Sequence, residues 1–266
     1  MINKNKYLFI DFETTGLGSG CQPISIGAVM IDPRKFNICD NGLFYSLINI
    51  VPDDSIEKYG LDKTSEQALA VANLTMDQIQ GAPPLKNVWA NFCNWIKYHT
   101  PTKDKWDAPI FCSYTNYDQI LANRIQNGHL NGHLVLKDKL LTKTALKSMD
   151  DAEIAKAYKQ LVLLKEPWGF GPDWLFCPNK RVDVAQTCLC AFESLREPSS
   201  LSLDAVKSFL GFHDHLAHNA LVDALWTAEI FIRFMGIQRL VSTDTDFETG
   251  STTVLPIDEI IKDFKL

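Results

Sequence analysis

Two carboxylates, Asp11 and Glu13, stand at the end of an apolar run near the start of the chain. The run Tyr7–Ile10 predicts a buried strand. Successive side chains of a strand point to opposite faces, so Asp11 and Glu13 share one face. Because adjacent carboxylates repel each other and lose hydration there, they favour a cation between them. Hard oxygen ligands suit Mg²⁺ or Mn²⁺ rather than zinc. The pair alone is equally consistent with two solvated acids at a strand end.

Two further acids stand in the first turns of predicted helices. Asp118 follows the apolar run 109–112, and Asp223 opens a long C-terminal helix. Each acid by itself is explained by the favourable interaction of a carboxylate with a helix N-terminus. Taken with Asp11 and Glu13, they have the number and distribution that two divalent ions about 4 Å apart require.

His218 adds a candidate base, five residues before Asp223. In one regular helix that separation would turn the two side chains roughly 140° apart. Asn219 is a favourable N-cap residue, so we predict that His218 lies in the loop before the helix. From that loop it can reach a metal-bound water and act as a general base. A purely structural role in the loop is the alternative.

The elements that must position these residues predict an α/β fold. Strands are predicted at 7–10, 23–32, 43–51 and 109–112, and the short connections among the first three favour an antiparallel meander. Helices are predicted at 64–72, 75–80, 85–98, 117–126, 150–164, 184–195, 202–210, 219–235 and 256–266. The apolar stripe of the helix at 85–98 is interpreted as core rather than as a platform for bases. Asp183 is left out of the site because its role as a helix cap already explains it.

Three motifs resemble those of the DEDDh family, ribonuclease H-like 3′→5′ exonucleases that include ribonuclease T and proofreading exonucleases. They are DFETTGL at Asp11–Leu17, the pair Tyr117-Asp118, and HNALVD at His218–Asp223. The resemblance covers roughly residues 6–235 and is weak over 129–180. It implies a ribonuclease H-like mixed sheet, an antiparallel meander plus parallel strands, flanked by helices.

The resemblance also implies a metal-dependent 3′→5′ exonuclease that hydrolyses terminal phosphodiesters of single-stranded RNA or DNA and releases 5′-mononucleotides. His218 would be the general base. Two Mg²⁺ or Mn²⁺ ions would be held by the four acids, which are also the remaining catalytic residues, Asp11, Glu13, Asp118 and Asp223. The 3′-terminal nucleotide would be held by the loop after the first strand, at Thr14, Thr15, Gly16 and Leu17.

The middle motif departs from the commonest family pattern, in which His-Asn precedes an aromatic-Asp pair. Here Ser113–Asp118 reads SYTNYD, which is closer to the RNA-trimming branch of the family. This motif inclines the prediction toward RNA and leaves DNA open.

The composition of the chain argues against several other classes of function. The chain has 266 residues, 46% of them hydrophobic, and a formal net charge of -6, so a general basic coat for non-specific DNA binding is absent. The seven cysteines show no framework spacing and indicate reduced thiols in a cytoplasmic protein. No signal peptide or transmembrane stretch is predicted. A zinc site is disfavoured because its candidates lack paired spacing, namely Cys177, Cys188, Cys190, His213 and His215.

We predict an exonuclease domain at 1–240 with an insertion at about 129–180, followed by a C-terminal tail at 241–266. Two other interpretations stay open. One is a non-catalytic nucleic-acid-binding or scaffold protein on the same fold. The other is a proofreading or regulatory subunit of a larger complex that docks through its tail. The family resemblance also allows a homodimer.

Overall fold

The structure is a computed structural model that describes residues 5–16, 21–50, 63–102, 104–126, 134–136, 139–141, 175–192, 198–212 and 218–241. Its strands are β1 (Tyr7–Thr14), β2 (Pro23–Ile31), β3 (Ile38–Leu47), β4 (Ile110–Ser113), β5 (Leu134–Leu136), β6 (Lys139–Leu141) and β7 (Arg181–Asp183). Its helices are α1 (Glu66–Val71), α2 (Met76–Gln80), α3 (Leu85–His99), α4 (Asn116–Gln126), α5 (Val184–Phe192), α6 (Leu203–Phe209) and α7 (Ala220–Val241).

A five-stranded mixed sheet forms the centre, in the order β3-β2-β1-β4-β7. The first three strands pair antiparallel, as the short connections predict. β4 lies parallel to β1, and β7 lies parallel to β4. The predicted mixed sheet is therefore confirmed. β5 and β6 form a separate two-stranded hairpin.

The residues of β1 alternate between two cores. Tyr7 and Phe9 pack in one cluster with α5, α6 and α7. Leu8, Ile10 and Phe12 pack in a second cluster with α3 and α4 on the opposite face. Because a strand alternates its side chains, the acids that continue the first series project toward the layer that contains α7.

The two helical layers bury apolar surface against this sheet. In α3, Trp89 and Phe92 are fully buried beside the second core, which confirms the interpretation of the α3 stripe as core. In α7, every residue from Ala220 to Ile232 is buried, so this helix has no solvated face along that stretch. Within the described ranges, none of the helices combines the length and the hydropathy needed to cross a membrane.

Four strands differ from the sequence-based expectation. β3 begins at Ile38 rather than Leu43. β3 is an edge strand and the polar residues near its start are exposed, so this part of the strand lacks the alternation of apolar and polar residues that predicts a strand. β7 was not predicted, because three residues are too few to show a period, and only pairing with β4 reveals it. The β5–β6 hairpin was also missed. Asp183 nevertheless caps α5 as predicted, since its Oδ1 accepts a hydrogen bond from the Gln186 N–H at 3.0 Å.

Several predicted segments that contribute no site residue lie outside the described residues. This holds for the predicted helices at 150–164 and 256–266, the tail at 242–253 and most of the insertion at 129–180. Within the insertion, Leu175 packs against the second core, and the Cys177 N–H donates to the Pro109 carbonyl at 2.9 Å. The division into domain, insertion and tail stays a prediction.

Candidate active site

Three of the four predicted acids meet at the carboxyl end of β1. Oxygens of Asp11, Glu13 and Asp223 all lie within 4.8 Å of one another. β1 supplies two of these side chains because alternate residues share a face, and α7 supplies the third because it packs against that face. We call these three residues the carboxylate cluster. Its oxygens are spaced as ligands of one cation would be.

A glycine in β2 allows α7 to approach the sheet closely enough to complete the cluster. Gly27 pairs with Asp11 across the β1–β2 ladder. A Cβ built on Gly27 would lie 2.1 Å from the Leu221 nitrogen and 2.3 Å from the Ala220 carbonyl oxygen. Since both are backbone atoms, the first turn of α7 rests directly on the strand. The sequence gives no local signal for this contact.

The N-terminus of α7 is fixed by the predicted cap. Asn219 Oδ1 accepts hydrogen bonds from the backbone N–H groups of Leu221 at 3.1 Å and Val222 at 3.3 Å. The prediction that Asn219 caps this helix is confirmed. The cap and the contact with Gly27 together determine where Asp223, in the first turn, can place its carboxylate.

Gly27→Ala should therefore displace the first turn of α7 and Asp223 with it. We expect a loss of about 1–3 kcal/mol in the free energy of unfolding, as for other overpacked sites, and a loss of the catalytic rate that would depend on Asp223. Thermal unfolding and the initial rate of the 3′→5′ exonuclease reaction expected from the motifs measure the two effects. Gly236→Ala in α7 is the matched control, because a Cβ there meets nothing within 4 Å. A Gly27→Ala protein with unchanged rate and stability would contradict this account.

Asp118 lies beside the cluster and is held by the backbone of β1. It is buried in the first turn of α4, and its Oδ1 accepts a hydrogen bond from the Phe12 N–H at 3.2 Å. This bond holds the Asp118 carboxylate against the backbone of Phe12, the residue between Asp11 and Glu13. Only tertiary structure shows it, because the partners are separated by 106 residues.

Three of the four acids, Asp11, Glu13 and Asp118, carry unfavourable charge in the absence of a cation. Burial, followed by the charges of Asp118 and Asp223, raises the pKa of Asp11 well above its usual value. Burial, with the charges of Asp223 and Asp118, raises the pKa of Glu13 to about 7. Burial and the charge of Asp223 raise the pKa of Asp118 to about 7, against the opposing hydrogen bond from Phe12. Such mutual repulsion is what a divalent ion would relieve.

His218 lies where the sequence predicts, immediately before the Asn219 cap, but outside the carboxylate cluster. Its side chain is 46% exposed, and its Nε2 lies 3.9 Å from Asp204 Oδ2. Its φ is +65°, a left-handed conformation that is uncommon for residues other than glycine. The half-exposed ring is thus held on a strained turn beside the site.

The loop after β1 is closed by hydrogen bonds of its own. The Thr15 hydroxyl accepts from the Gln22 N–H at 3.0 Å, and Thr15 is only 1% exposed. The Thr14 hydroxyl donates to the Gly16 carbonyl at 2.6 Å. Thr15 therefore supports the loop, whereas Thr14 and Gly16 are partly exposed. Leu17, the fourth residue predicted to bind substrate, lies outside the described residues.

Sequence reasoning missed a lysine at the edge of the cluster. Lys207 in α6 is 4% exposed. Its Nζ lies 3.6 Å from Asp223 Oδ1 and 3.3 Å from Asp204 Oδ1. The only local signal is the spacing of three between Asp204 and Lys207, which is common on exposed helix faces.

The disfavoured zinc candidates do not form a group in the part of the chain that the structure describes. Cys177 and Cys188 are buried, Cys190 is exposed, and the two histidines lie outside the described residues. Of the described His, Cys, Asp and Glu side chains, those with the spacing of metal ligands are the three of the carboxylate cluster.

The fold is similar to that of solved nucleases. Cell-death related nuclease 4 matches with a TM-score of 0.55 and 15% identity, over 88% of this chain and 65% of that chain. A 3′-exonuclease solved in specific recognition of a histone mRNA stem-loop matches with a TM-score of 0.53 and 15% identity, over 87% and 82%. E. coli exonuclease I in complex with a dT13 oligonucleotide matches with a TM-score of 0.53 and 16% identity, over 88% and 41%.

These matches confirm the predicted ribonuclease H-like fold. The chain spans less than two thirds of the first of these structures, 65% of its length. A comparison with curated protein sequences gave no significant match. The model of the 3′-5′ exoribonuclease Rv2179c-like domain matches residues 6–235, which confirms the predicted resemblance to 3′→5′ exonucleases. The chain therefore belongs to the family of Rv2179c-like 3′-5′ exoribonuclease domains.

Proposed function

We propose that this chain hydrolyses the terminal phosphodiester of single-stranded nucleic acid from the 3′ end, releases 5′-mononucleotides, and uses two Mg²⁺ or Mn²⁺ ions. The observation that carries the proposal is the carboxylate cluster, whose oxygens lie within 4.8 Å of one another. A non-catalytic scaffold would have no use for acids whose pKa values are raised so far by burial and mutual repulsion.

The donor set fits hard divalent ions. All the candidate ligands are carboxylates, without the thiolate or imidazole ligands typical of zinc. We assign the ions to Asp11, Glu13, Asp118 and Asp223. When bound, two such ions lower the pKa of an attacking water and stabilise the departing 3′ oxygen. The protein contributes the rigid strand end and the capped helix that hold the four side chains in place.

We assign the role of general base to His218. Its ring must turn from Asp204 toward the cluster to take a proton from the attacking water. Because the side chain is 46% exposed, this rotation meets little packing. The backbone of the residue is meanwhile held by the adjacent cap on Asn219. This combination of a fixed backbone and a mobile ring suits a base that acts on a bound substrate.

The terminal nucleotide would lie on the loop after β1. Thr14 and Gly16 are partly exposed there and offer backbone groups and a hydroxyl, while Thr15 holds the loop from beneath. Leu17 would stack under the terminal base, a contact that tolerates any sequence.

RNA is the preferred substrate in this proposal, because the matching family is described as exoribonuclease and the middle motif is closer to the RNA-trimming branch. DNA is the second candidate, since one of the solved structures with this fold is a complex with a DNA oligonucleotide. A cytoplasmic location and a homodimer belong to the same proposal. They rest on the cysteine pattern and on the family resemblance.

The test is a panel of RNA and DNA oligonucleotides, single-stranded and duplex, labelled at the 5′ end and resolved at nucleotide length. With Mg²⁺ or Mn²⁺ we expect a ladder that shortens one nucleotide at a time from the 3′ end, fastest on single-stranded RNA. The released products should be nucleoside 5′-monophosphates. Internal cuts, or retention of the oligonucleotide without shortening in either metal, would overturn the proposal.

A further inference from the structure

Lys207 is buried, although the ion pair that it forms with Asp204 on the same helix could form at the surface. The Lys207 side chain is 6% exposed, whereas Asp204, three residues earlier on the same helix, is 57% exposed. An ordinary pair of this spacing stays at the surface, where water solvates both charges. A buried ammonium needs compensation by charge or by hydrogen bonds. Asp223, itself only 9% exposed, lies 3.6 Å from Lys207 Nζ and supplies such a charge.

The charge of Lys207 reaches further into the site. It lowers the pKa of Asp11 against the larger effects of burial and of the neighbouring acids. The ammonium therefore lies against Asp223 at 3.6 Å and also lowers the pKa of Asp11 by its charge. Since a single positive charge is set against four carboxylates, the site keeps a negative excess that still attracts divalent ions.

We propose that Lys207 is a built-in counter-cation of the metal site, which steadies the carboxylate cluster when no ion is bound and weakens the binding of ions when they are present. This inference rests on the proposed function, since it takes the cluster to be the metal site. Lys207 is a positioning residue, because it acts through its ion pair with Asp223.

The physical reason is a balance between two effects. Without ions, the ammonium offsets part of the repulsion among the acids and so stabilises the fold. With ions, the same ammonium repels a doubly charged neighbour in a partly dehydrated site. Lys207 also orients Asp223, and this favours ion binding. The effect of fixing one short side chain is smaller, however, than the effect of removing a full charge from beside a divalent ion. Loss of the charge should therefore strengthen ion binding.

Lys207→Met tests this, because methionine keeps an unbranched apolar stem and removes the charge. Calorimetric titration with Mn²⁺ should show binding about tenfold tighter than in the wild-type protein. The melting temperature should fall in EDTA and recover largely in saturating Mn²⁺. Lys207→Arg, which retains the charge, should restore both quantities toward wild type. A merely structural lysine would lower the melting temperature equally in both conditions.

Lys6→Met is the matched control. Lys6 is also partly buried and donates from Nζ to the His99 carbonyl at 2.8 Å, but it stands before the first residue of β1, at the end of the strand opposite the cluster. Its loss should leave Mn²⁺ affinity unchanged and shift the melting temperature equally with and without Mn²⁺. Should Lys207→Met not fold in either condition, Lys207→Gln removes the charge, keeps a polar donor, and gives the same comparison of affinities.

Two failures can be told apart. If the wild-type protein binds no Mn²⁺, or if Asp11→Asn does not remove the binding, the assignment of the metal site is wrong. The role of Lys207 is then wrong as well. If the wild-type protein binds Mn²⁺ at that site and the uncharged variants bind it equally or more weakly, the role of Lys207 alone is overturned.

Discussion

We expect Asp11→Asn to abolish nucleotide release and to leave the fold intact. This is the largest effect that we expect from a single substitution. Asp11 belongs to the carboxylate cluster, with a carboxylate oxygen within 4.8 Å of oxygens of Glu13 and Asp223. Asparagine has nearly the same shape, so the packing of β1 is kept, but its neutral amide is a poor ligand for a hard divalent ion. We expect the rate of release to fall by at least about 10³-fold, because in the proposed site Asp11 would hold both ions.

The stability of Asp11→Asn should not fall with its activity. The pKa of Asp11 is raised by burial and by the neighbouring acids, which means that its charge is unfavourable in the folded protein without ions. In EDTA the variant should therefore melt at the same temperature as the wild-type protein or higher. Asp183→Asn is the control, because Asp183 caps α5 outside the cluster and asparagine is also a good cap. Wild-type turnover by Asp11→Asn protein would remove the cluster from the chemistry.

Replacement of His218 should give the second largest effect, a loss of chemical rate by a factor on the order of 10²–10⁴. The reason is that His218 would take the proton from the attacking water. The ions would be bound by the carboxylate cluster, which does not include His218. Mn²⁺ affinity should therefore remain close to that of the wild-type protein. Single-turnover rates on a labelled oligonucleotide and calorimetric titration with Mn²⁺ measure the two quantities.

The choice of substitution at His218 matters because of its backbone. With φ at +65°, alanine would be strained there, while asparagine tolerates the left-handed region better. His218→Asn thus removes the base with the smaller change in stability, and His218→Ala shows what the strain adds. A wild-type rate in both variants would exclude His218 as the base and leave it the role of a loop residue.

The sequence determined the parts of this protein that depend on short-range periodicity. The two-residue spacing of Asp11 and Glu13 on one strand put them on the same face before any fold was known. The asparagine before an apolar helix predicted the α7 cap, which the structure contains. The resemblance of the three motifs to a known family predicted the family and its mixed sheet, and the order of the predicted strands and helices predicted an α/β fold.

Tertiary structure alone decided what depends on contacts between distant segments. The approach of α7 to β2 is visible only when a Cβ on Gly27 is seen to meet the Ala220 and Leu221 backbone. The hydrogen bond from the Phe12 N–H to Asp118 joins residues that no local pattern connects. The burial of Lys207 beside Asp223 turned a common surface spacing into a charge within the site. A local pattern records which face a residue occupies, whereas the partner it meets there is set by the packing of the whole chain.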